Sequence, residues 1–467
     1  MLGYDVGIVS VYDQVSYVNS PYPQTHPGRL FVMAKLAGLH PPPVETCRVL
    51  EIGASEAENL VGMAVVLPSA EFVGIELAQV PVERGQKTIA DLGLPNVKLR
   101  QMNVLDIDKN FGQFDYIIAH GLYSWTPMIV RDKILAVAKA NLSAEGVAFI
   151  SYNALPGGHI RKMVREMMLY HIGEEADPMR RLEKARELLQ VIAVGRPKPD
   201  TLEAAVAARA AELLDYTDSA LFHDDLADIY EPVHLHEFVG HAARHGLQYI
   251  GEANLADSQA RNLAPEAVQK IQEMAAGDRI REAQYLDFAR TRRFRHTLVS
   301  HAGNDVHEGT AEGCYAATAA RETEEGVFVS AAGTRMTTTH PQWVAYMRRL
   351  IGVWPCSESV SAGDAEIALE LFRSDMIELH GFAGVAQKAG EKPCASRFAR
   401  YQAARGDSRL TTLWHRSMEV QDEAGRKLVG LLDGSRDRED LAREMESPRE
   451  VLEIALAVLE RHGMLTE

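Results

Sequence analysis

Residues 48–55 read RVLEIGAS, an apolar run closed by an acid, a glycine and a serine. A buried strand that turns into a helix has this form: β-branched and leucine side chains first, then a residue without Cβ where the backbone turns. Helical periodicity follows over 59–67. Outward from this stretch the alternation repeats. FVGIEL (72–77) is a second strand and 80–92 a helix. NVKLRQMNV (96–104) and FDYIIAHG (114–121) are a third and fourth strand. A helix over 129–142 leads to a fifth strand, GVAFISYN (146–153). Strands alternating with helices predict an α/β fold, a Rossmann-like parallel sheet covered on both faces. Its ligand belongs beyond the carboxyl ends of the strands, where the strand order reverses.

Around this unit, placed at 47–160, the pattern changes. Residues 1–46 are rich in aromatics and prolines and close on Pro41-Pro42-Pro43. RKMVREMMLYH, PMRRLEKARELLQVIA and LEAAVAARAAELLDYT have helical spacing and predict a helical middle domain at 161–300. Glycines punctuate a mixed connecting region at 301–400. Residues 401–467 give helix, turn, helix, helix and a short tail, the order of a winged-helix-like module.

The chain has 467 residues, 46% hydrophobic and 24% charged, enough apolar material for several cores. Sixty-five acids outweigh 49 Lys and Arg, giving a net charge of −16. A protein that tracks phosphates carries a basic stripe, so nucleic acid is not the expected partner. The four cysteines (Cys47, Cys314, Cys356, Cys394) form no CxxC pair and suit a reducing cytoplasm. No apolar run reaches the roughly 18 residues of a membrane span. The N-terminus contains acids and no basic-then-apolar leader, so a surface-protein substrate would be met before export.

Chemistry gathers at the strand ends. Glu51 and Gly53 close the first strand. Ser55 lies in the following turn, and the helix beginning near Asn59 offers free N–H groups and a positive dipole end to a ligand carboxylate. Glu76 closes the second strand, where an acid can accept ribose hydroxyls. Asn103 and Asp106 follow the third strand and can accept from an adenine amino group. A dinucleotide would want G-x-G-x-x-G, but residues 53–59 read GASEAEN. Glu56 and Glu58 would repel a pyrophosphate, so the phosphate-free S-adenosylmethionine is the expected cofactor. After the fourth strand, AHGLYSWTP (119–127) places His120, Tyr123 and Trp125 where a transferred methyl group would point. Aromatics there narrow a channel and favour an amine over their faces. Asn153 and His159 follow the fifth strand. Core packing is the alternative reading for His120, Tyr123 and Trp125, and a helix cap for His159. The histidines and acids of residues 220–253, among them His223, Asp224, His234, His236, His241 and His245, read as an exposed polar face. No metal is expected there, because the H-E-x-x-H order is missing.

Several strings resemble a known family. YDQVSYVNSPYPQTHPGRL, RVLEIG, FVGIEL, FGQFDYIIAHGLYSWTP, SYNALPGGHIRKMVREMMLYH, LFHDDLADIYEPVHLHEFVGHAARHGLQYIGEA, RRFRHTLVSH and LLDGSRDREDL are similar to bacterial class I protein lysine methyltransferases. This group includes rickettsial enzymes that methylate outer-membrane proteins and carry a methyltransferase regulatory domain. The resemblance implies a catalytic domain bound to S-adenosylmethionine, a helical regulatory domain, and a C-terminal module that helps hold a lysine-bearing protein. Glu51, Gly53, Ser55, Asn59, Glu76, Asn103, Asp106 and His120 would hold the cofactor. Residues 12–29, notably Tyr17, Thr25, His26 and Arg29, would wall the active site. Tyr17, His120, Tyr123 and Trp125 would position the amine or take its proton, while Thr25, His26, Arg29, Trp125, Asn153 and His159 would touch the substrate. The chain departs from the family where Ala57 and Glu58 replace a small pair, often two glycines, and where Gly158 replaces an aromatic. A degenerate protein-binding relative and a small-molecule methyltransferase remain the rival readings. A homodimer is compatible with the sequence.

Overall fold

The computed structural model describes residues 20–255, 259–260 and 263–466; Tyr17 lies outside the described residues. The first helix, α1 (Pro27–Leu36), precedes the central strand β1 (Arg48–Ile52). β1 pairs in parallel with β2 (Glu71–Glu76) on one side and β4 (Phe114–Ala119) on the other. β3 (Val97–Gln101) lies beyond β2, and β5 (Leu142–Asn153) beyond β4. Helices α2 (Glu58–Val66), α3 (Gln79–Asp91) and α4 (Met128–Asn141) make the crossovers. The chain order therefore reverses between β1 and β4, the crevice where such sheets bind ligands.

Alternate residues along each strand go to opposite faces. Val49, Phe72, Tyr116, Ile118 and Phe149 share a core with the buried side of α1 and α2. Leu50, Ile75, Ile117, Ile150 and Tyr152 face the other way, onto Ile134, Leu135 and Ala138 of α4.

The sheet has seven strands, two more than the sequence reading assigns. β6 (Leu247–Glu252) and β7 (Phe294–His301) complete it in the order β3-β2-β1-β4-β5-β7-β6, with β7 antiparallel to both neighbours. Both strands fall in the region expected to be helical. Their apolar alternation is broken by buried charge. Arg295 of β7 meets Glu252 of β6 at 2.5 Å and Asp287 at 2.8 Å, and all three side chains are at most 2% exposed. A paired ionic network occupies positions where a strand pattern would show apolar residues.

Helices α5 (Gly158–Ile172), α6 (Pro178–Val194), α7 (Thr201–Leu214) and α8 (Asp218–Asp225) form the helical portion around Val164, Met168, Leu182, Leu189, Leu213 and Leu221. Asp177, Asp200 and Thr217 cap three of them by accepting backbone N–H bonds. α9 (Leu235–Arg244) returns to the main sheet, burying Phe238 and Ala242 beside Tyr152. α10 (Pro265–Ala275) and α11 (Arg279–Arg290) lead into β7, and α12 (Pro341–Val353) and α13 (Ala365–Arg373) lie in the connecting region among short strands.

The C-terminal module contains α14 (Arg397–Arg405), α15 (Glu423–Leu431), α16 (Arg438–Glu444) and α17 (Arg449–Arg461), with a core of Ala399, Leu428, Leu441, Leu452 and Leu456. It docks on the first domain: Tyr401 Oη donates to Asp91 at 3.0 Å and Arg397 Nη1 to the Leu92 carbonyl at 3.2 Å. Among the described residues, no helix is long and apolar enough to cross a membrane.

Candidate active site

At the end of β1 the Glu51 side chain is buried, 4% exposed. Its Oε1 accepts from Asn59 Nδ2 at 2.8 Å, while its Oε2 has no hydrogen-bond partner among the described residues. Burial pushes the Glu51 carboxyl up to about 8, against the lowering effect of the Asn59 bond and with a further push from Glu76. A buried carboxylate with one bare oxygen is costly unless a cation meets it.

The turn after β1 is tight. Gly53 has φ +77°, and a Cβ there would lie 2.9 Å from Leu122. Ser55 and Ala57 also adopt positive φ, at 46° and 59°, the region a glycine would enter without strain. Glu76 fixes this turn from β2. Its Oε2 accepts from Ser55 N at 3.1 Å, and its Oε1 accepts from the backbone of Leu77 and Ala78. Glu56 and Glu58 are drawn aside: Glu56 pairs with Arg84 at 3.3 Å, and Glu58 with Arg405 of the C-terminal module at 2.6 Å.

Asn59 is the hub of the site. Its Oδ1 accepts from Tyr22 N at 3.0 Å and His415 Nε2 at 2.8 Å, and its Nδ2 also donates to Thr25 Oγ1 at 3.0 Å. One side chain thus ties the N-terminal segment, β1 and the C-terminal module together. His26 caps α1 through Nδ1, which accepts from Gly28 N, and its ring lies 5.2 Å from His415. Arg29 lies over the Phe372 ring.

The Tyr22 ring meets His120 edge-on at 4.3 Å. Phe149 and His296 surround the same imidazole at 5.7 and 6.0 Å. Ser151 Oγ accepts from Gly121 N at 2.8 Å and lies 2.7 Å from His120 Nδ1. That oxygen has a second lone pair and a proton, so it can serve either tautomer of the neutral ring. Burial, helped by His296, holds the His120 imidazole down at about 3. Burial and Glu51 push the Tyr22 phenol up to about 12. Both groups stay neutral near pH 7, and neither is a strong proton acceptor.

Tyr123 and Trp125 go elsewhere. Tyr123 crosses to the α4 face, in contact with Tyr152 and Phe238, and its Oη lies 2.8 Å from His241 Nδ1. Trp125 joins a cluster after β5. Arg161 lies over its ring at 5.0 Å and Tyr230 packs against it. Arg161 also donates to Asp225 at 2.8 Å and Asn153 Oδ1 at 3.2 Å, while Asn153 Nδ2 is buried with no partner among the described residues. Where the family has an aromatic, a Cβ on Gly158 would meet Pro232 at 2.8 Å and Tyr230 Oη at 3.1 Å. Tyr230 and Pro232 already fill that space. His159 is exposed at the start of α5. Asn103 caps a short turn after β3 by accepting from Leu105 N, and Asp106 is exposed beside it. Of the polar face expected over 220–253, His223 and His241 are buried.

The structure therefore brings Glu51, Asn59, Thr25, His26 and His120 into one continuous site with Gly53, Ser55 and Glu76 at its floor. It separates Tyr123 and His159 from that site. Sequence reading did not single out Tyr22, Ser151, His296 or His415. Tyr22 and Ser151 lie inside strings that drew attention, whereas His415 meets Asn59 across 356 positions and leaves no local signal.

A seven-stranded sheet whose one antiparallel strand, β7, lies between β5 and the edge strand β6, with a ligand crevice at the β1–β4 reversal and an acid at the end of each of β1 and β2, defines the methyltransferase class of Rossmann-like proteins. Comparison with known proteins agrees. Residues 43–190 match a family described as methyltransferase domain, residues 217–301 a predicted methyltransferase regulatory domain, and residues 391–461 a PKMT C-terminal winged helix domain. The chain belongs to the family of methyltransferases that combine these three parts. It is 40% identical over 296 residues to an uncharacterized protein of Rickettsia prowazekii (strain Madrid E), a match over 63% of this chain and 53% of that one. A second uncharacterized protein of the same organism is 37% identical over 234 residues, covering 50% of this chain and 94% of the relative. The chain thus spans about half the length of the first relative and nearly all of the second. The solved structure of PKMT2 from Rickettsia typhi superposes with a TM-score of 0.84 at 25% identity, over 97% of this chain and 100% of that one. The same protein in complex with AdoHcy gives 0.82.

Proposed function

We propose that this chain transfers methyl groups from S-adenosylmethionine to lysine side chains of a protein substrate. The observation that carries the proposal is the buried Glu51 carboxyl group, one oxygen without a partner among the described residues, at the reversal point of the sheet. Its residues fit the cofactor. Glu51 Oε2 suits the ammonium of a methionine moiety, the N-terminus of α2 suits its carboxylate, and Glu76 stands at the end of β2 for the ribose. Gly53, lacking Cβ, lets the ligand approach the backbone. Arg84 and Arg405 offset the charges of Glu56 and Glu58 beside the start of α2. Asn103 and Asp106 are proposed for the adenine end.

The cofactor supplies an electrophilic methyl group on a sulfonium. This chain's residues exclude water and orient the amine. A lysine amine, near pKa 10.4 in water, must arrive neutral. Burial beside Tyr22, Phe149 and His120 favours that form, and a neutral His120 adds no positive charge. Because Tyr22 and His120 are poor bases, the proton leaves to solvent before attack. Trp125, Asn153 and Arg161 are proposed to line the approach, with Thr25, His26 and Arg29 holding the N-terminal cover in place. Lysine as acceptor is supported by the match to a protein lysine methyltransferase winged helix and to PKMT2. The acidic chain favours a basic protein segment over nucleic acid. We further propose a cytoplasmic location, as the scattered cysteines suggest.

The test is methyl transfer from labelled S-adenosylmethionine to lysine-bearing protein fragments, mapped by mass spectrometry. Label on lysine ε-nitrogens supports the proposal. Cofactor binding with label appearing only on small amines or oxygens would refute the lysine assignment.

A further inference from the structure

Three potential ligands converge on the sheet face opposite Glu51. Asp132 lies on α4, His241 on α9, and His245 is the residue that closes α9, four positions after His241. Asp132 Oδ1 is 2.9 Å from His245 Nε2 and 3.3 Å from His241 Nε2, and the three ligand atoms lie within 4.8 Å of one another. We propose that Asp132, His241 and His245 form a binding site for a divalent first-row transition cation, with Zn2+ as the representative, that clamps α9 to α4.

The distances suit such an ion. Zn2+ bound at about 2.0–2.1 Å in tetrahedral geometry sets its ligand atoms about 3.3–3.4 Å apart. The two Asp132 separations need small side-chain adjustments at most. The imidazole of His241 is already oriented from behind. Its Nδ1 lies 2.8 Å from Tyr123 Oη in the buried core. With the proton on Nδ1 donated to that hydroxyl, Nε2 turns its lone pair toward Asp132, the arrangement that fixes metal-bound histidines elsewhere. The site is open to entry: the side chain of Asp132 is 59% exposed and that of His245 18%. Three protein ligands leave a fourth position for water. Arg131, next to Asp132, is engaged by Glu231 at 2.8 Å and by the Thr126 carbonyl. Arg244 Nη1 bonds back to its own helix at Gly240.

The sequence places His241 and His245 four apart but does not show the third ligand. The fold supplies it from 109 residues earlier. The site also touches function. Tyr123 begins the short turn Tyr123–Trp125, in the segment that carries His120 and Trp125. An occupied cation site would stiffen that segment through His241 and Tyr123, from within the matched regulatory domain.

The experiment uses the full chain, free of any affinity tag and stripped with chelator, titrated with Zn2+ and with Co2+. The expected result is one equivalent bound at micromolar concentration, tetrahedral Co2+ absorption and a higher melting temperature. Asp132→Ala and His245→Ala abolish this binding, and Tyr123→Phe weakens it on the order of 10-fold. Asp132→Asn serves as a second variant that keeps the size of the side chain and removes the anionic ligand, and far-UV circular dichroism confirms that each variant folds. No stoichiometric binding, or binding unchanged in both Asp132→Asn and His245→Ala, would overturn the site. These readouts do not depend on methyl transfer.

Discussion

His120 and Tyr123 are three residues apart in one segment, yet they end on opposite faces of the sheet. On the His120 face, Glu51 Oε2 and Asn153 Nδ2 have no partner among the described residues, and the imidazole is surrounded by aromatics and held neutral. On the Tyr123 face, the phenol is bonded to His241, which is bonded in turn to Asp132. The first arrangement retains unmet polar capacity in a dry place, as ligand sites do. The second joins α9 to the core through paired side chains and opens to solvent at Asp132. Proximity in sequence assigns both residues to chemistry; the short turn after β4 divides them.

The largest expected effect is at Glu51. Glu51→Gln keeps the size of the side chain and removes its charge. A charged hydrogen bond is worth about 1.5–3 kcal/mol, so affinity for S-adenosylmethionine should fall about 10- to 100-fold in calorimetry. The raised carboxyl adds a signature. Below about pH 8 the free protein holds Glu51 protonated, and an ammonium seated on it expels the proton. Binding at pH 7 should release a proton in the wild type and none in Glu51→Gln, measured in buffers of different ionisation enthalpy. The linkage to folding has a fixed sign. The native carboxyl holds its proton to higher pH than the unfolded one, so its stabilisation is complete below the ordinary carboxylate range. It is lost as pH rises through about 8.

Next in size is the contrast between the two faces. His120→Ala should lower methyl transfer about 10-fold or more through lost positioning, with a smaller change in cofactor affinity. Tyr123→Phe should leave cofactor affinity within about 2-fold and cost about 1 kcal/mol of stability, one buried hydrogen bond, in thermal or urea unfolding. Equal losses of transfer in the two variants would erase the distinction between the faces.

Two smaller effects test the docking of the C-terminal module. His415→Ala leaves Asn59 Oδ1 without its 2.8 Å donor. Cofactor affinity should fall about 5-fold, for about 1 kcal/mol. Arg405→Ala frees Glu58 beside the cofactor turn. That pair is partly exposed, so the loss should stay below about 5-fold, and adding Glu58→Gln should restore affinity.

The first five strands were legible because β1, β2, β4 and β5 are apolar runs ended by an acid, a glycine or an asparagine. Each expected strand and crossover helix lies within a few residues of its observed place. β6 and β7 were not, because Glu252 and Arg295 put charges inside the sheet, and a charge in a sequence reads as surface. At the site, Glu51, Gly53, Asn59 and Glu76 were legible because strand ends and helix starts fix where they point. The partners of Asn59 and Glu58 were not: His415 and Arg405 come from a module about 350 positions away. The Tyr123 phenol could not be assigned to a face, since a turn has no periodicity to read.

Calorimetric titration of the full chain with S-adenosylmethionine, repeated for Glu51→Gln, tests the account most directly. Single-site binding in the micromolar range with release of about one proton at pH 7, and loss of both in the variant, is the predicted result. Absence of heat at millimolar cofactor, or identical binding in the variant, would contradict it.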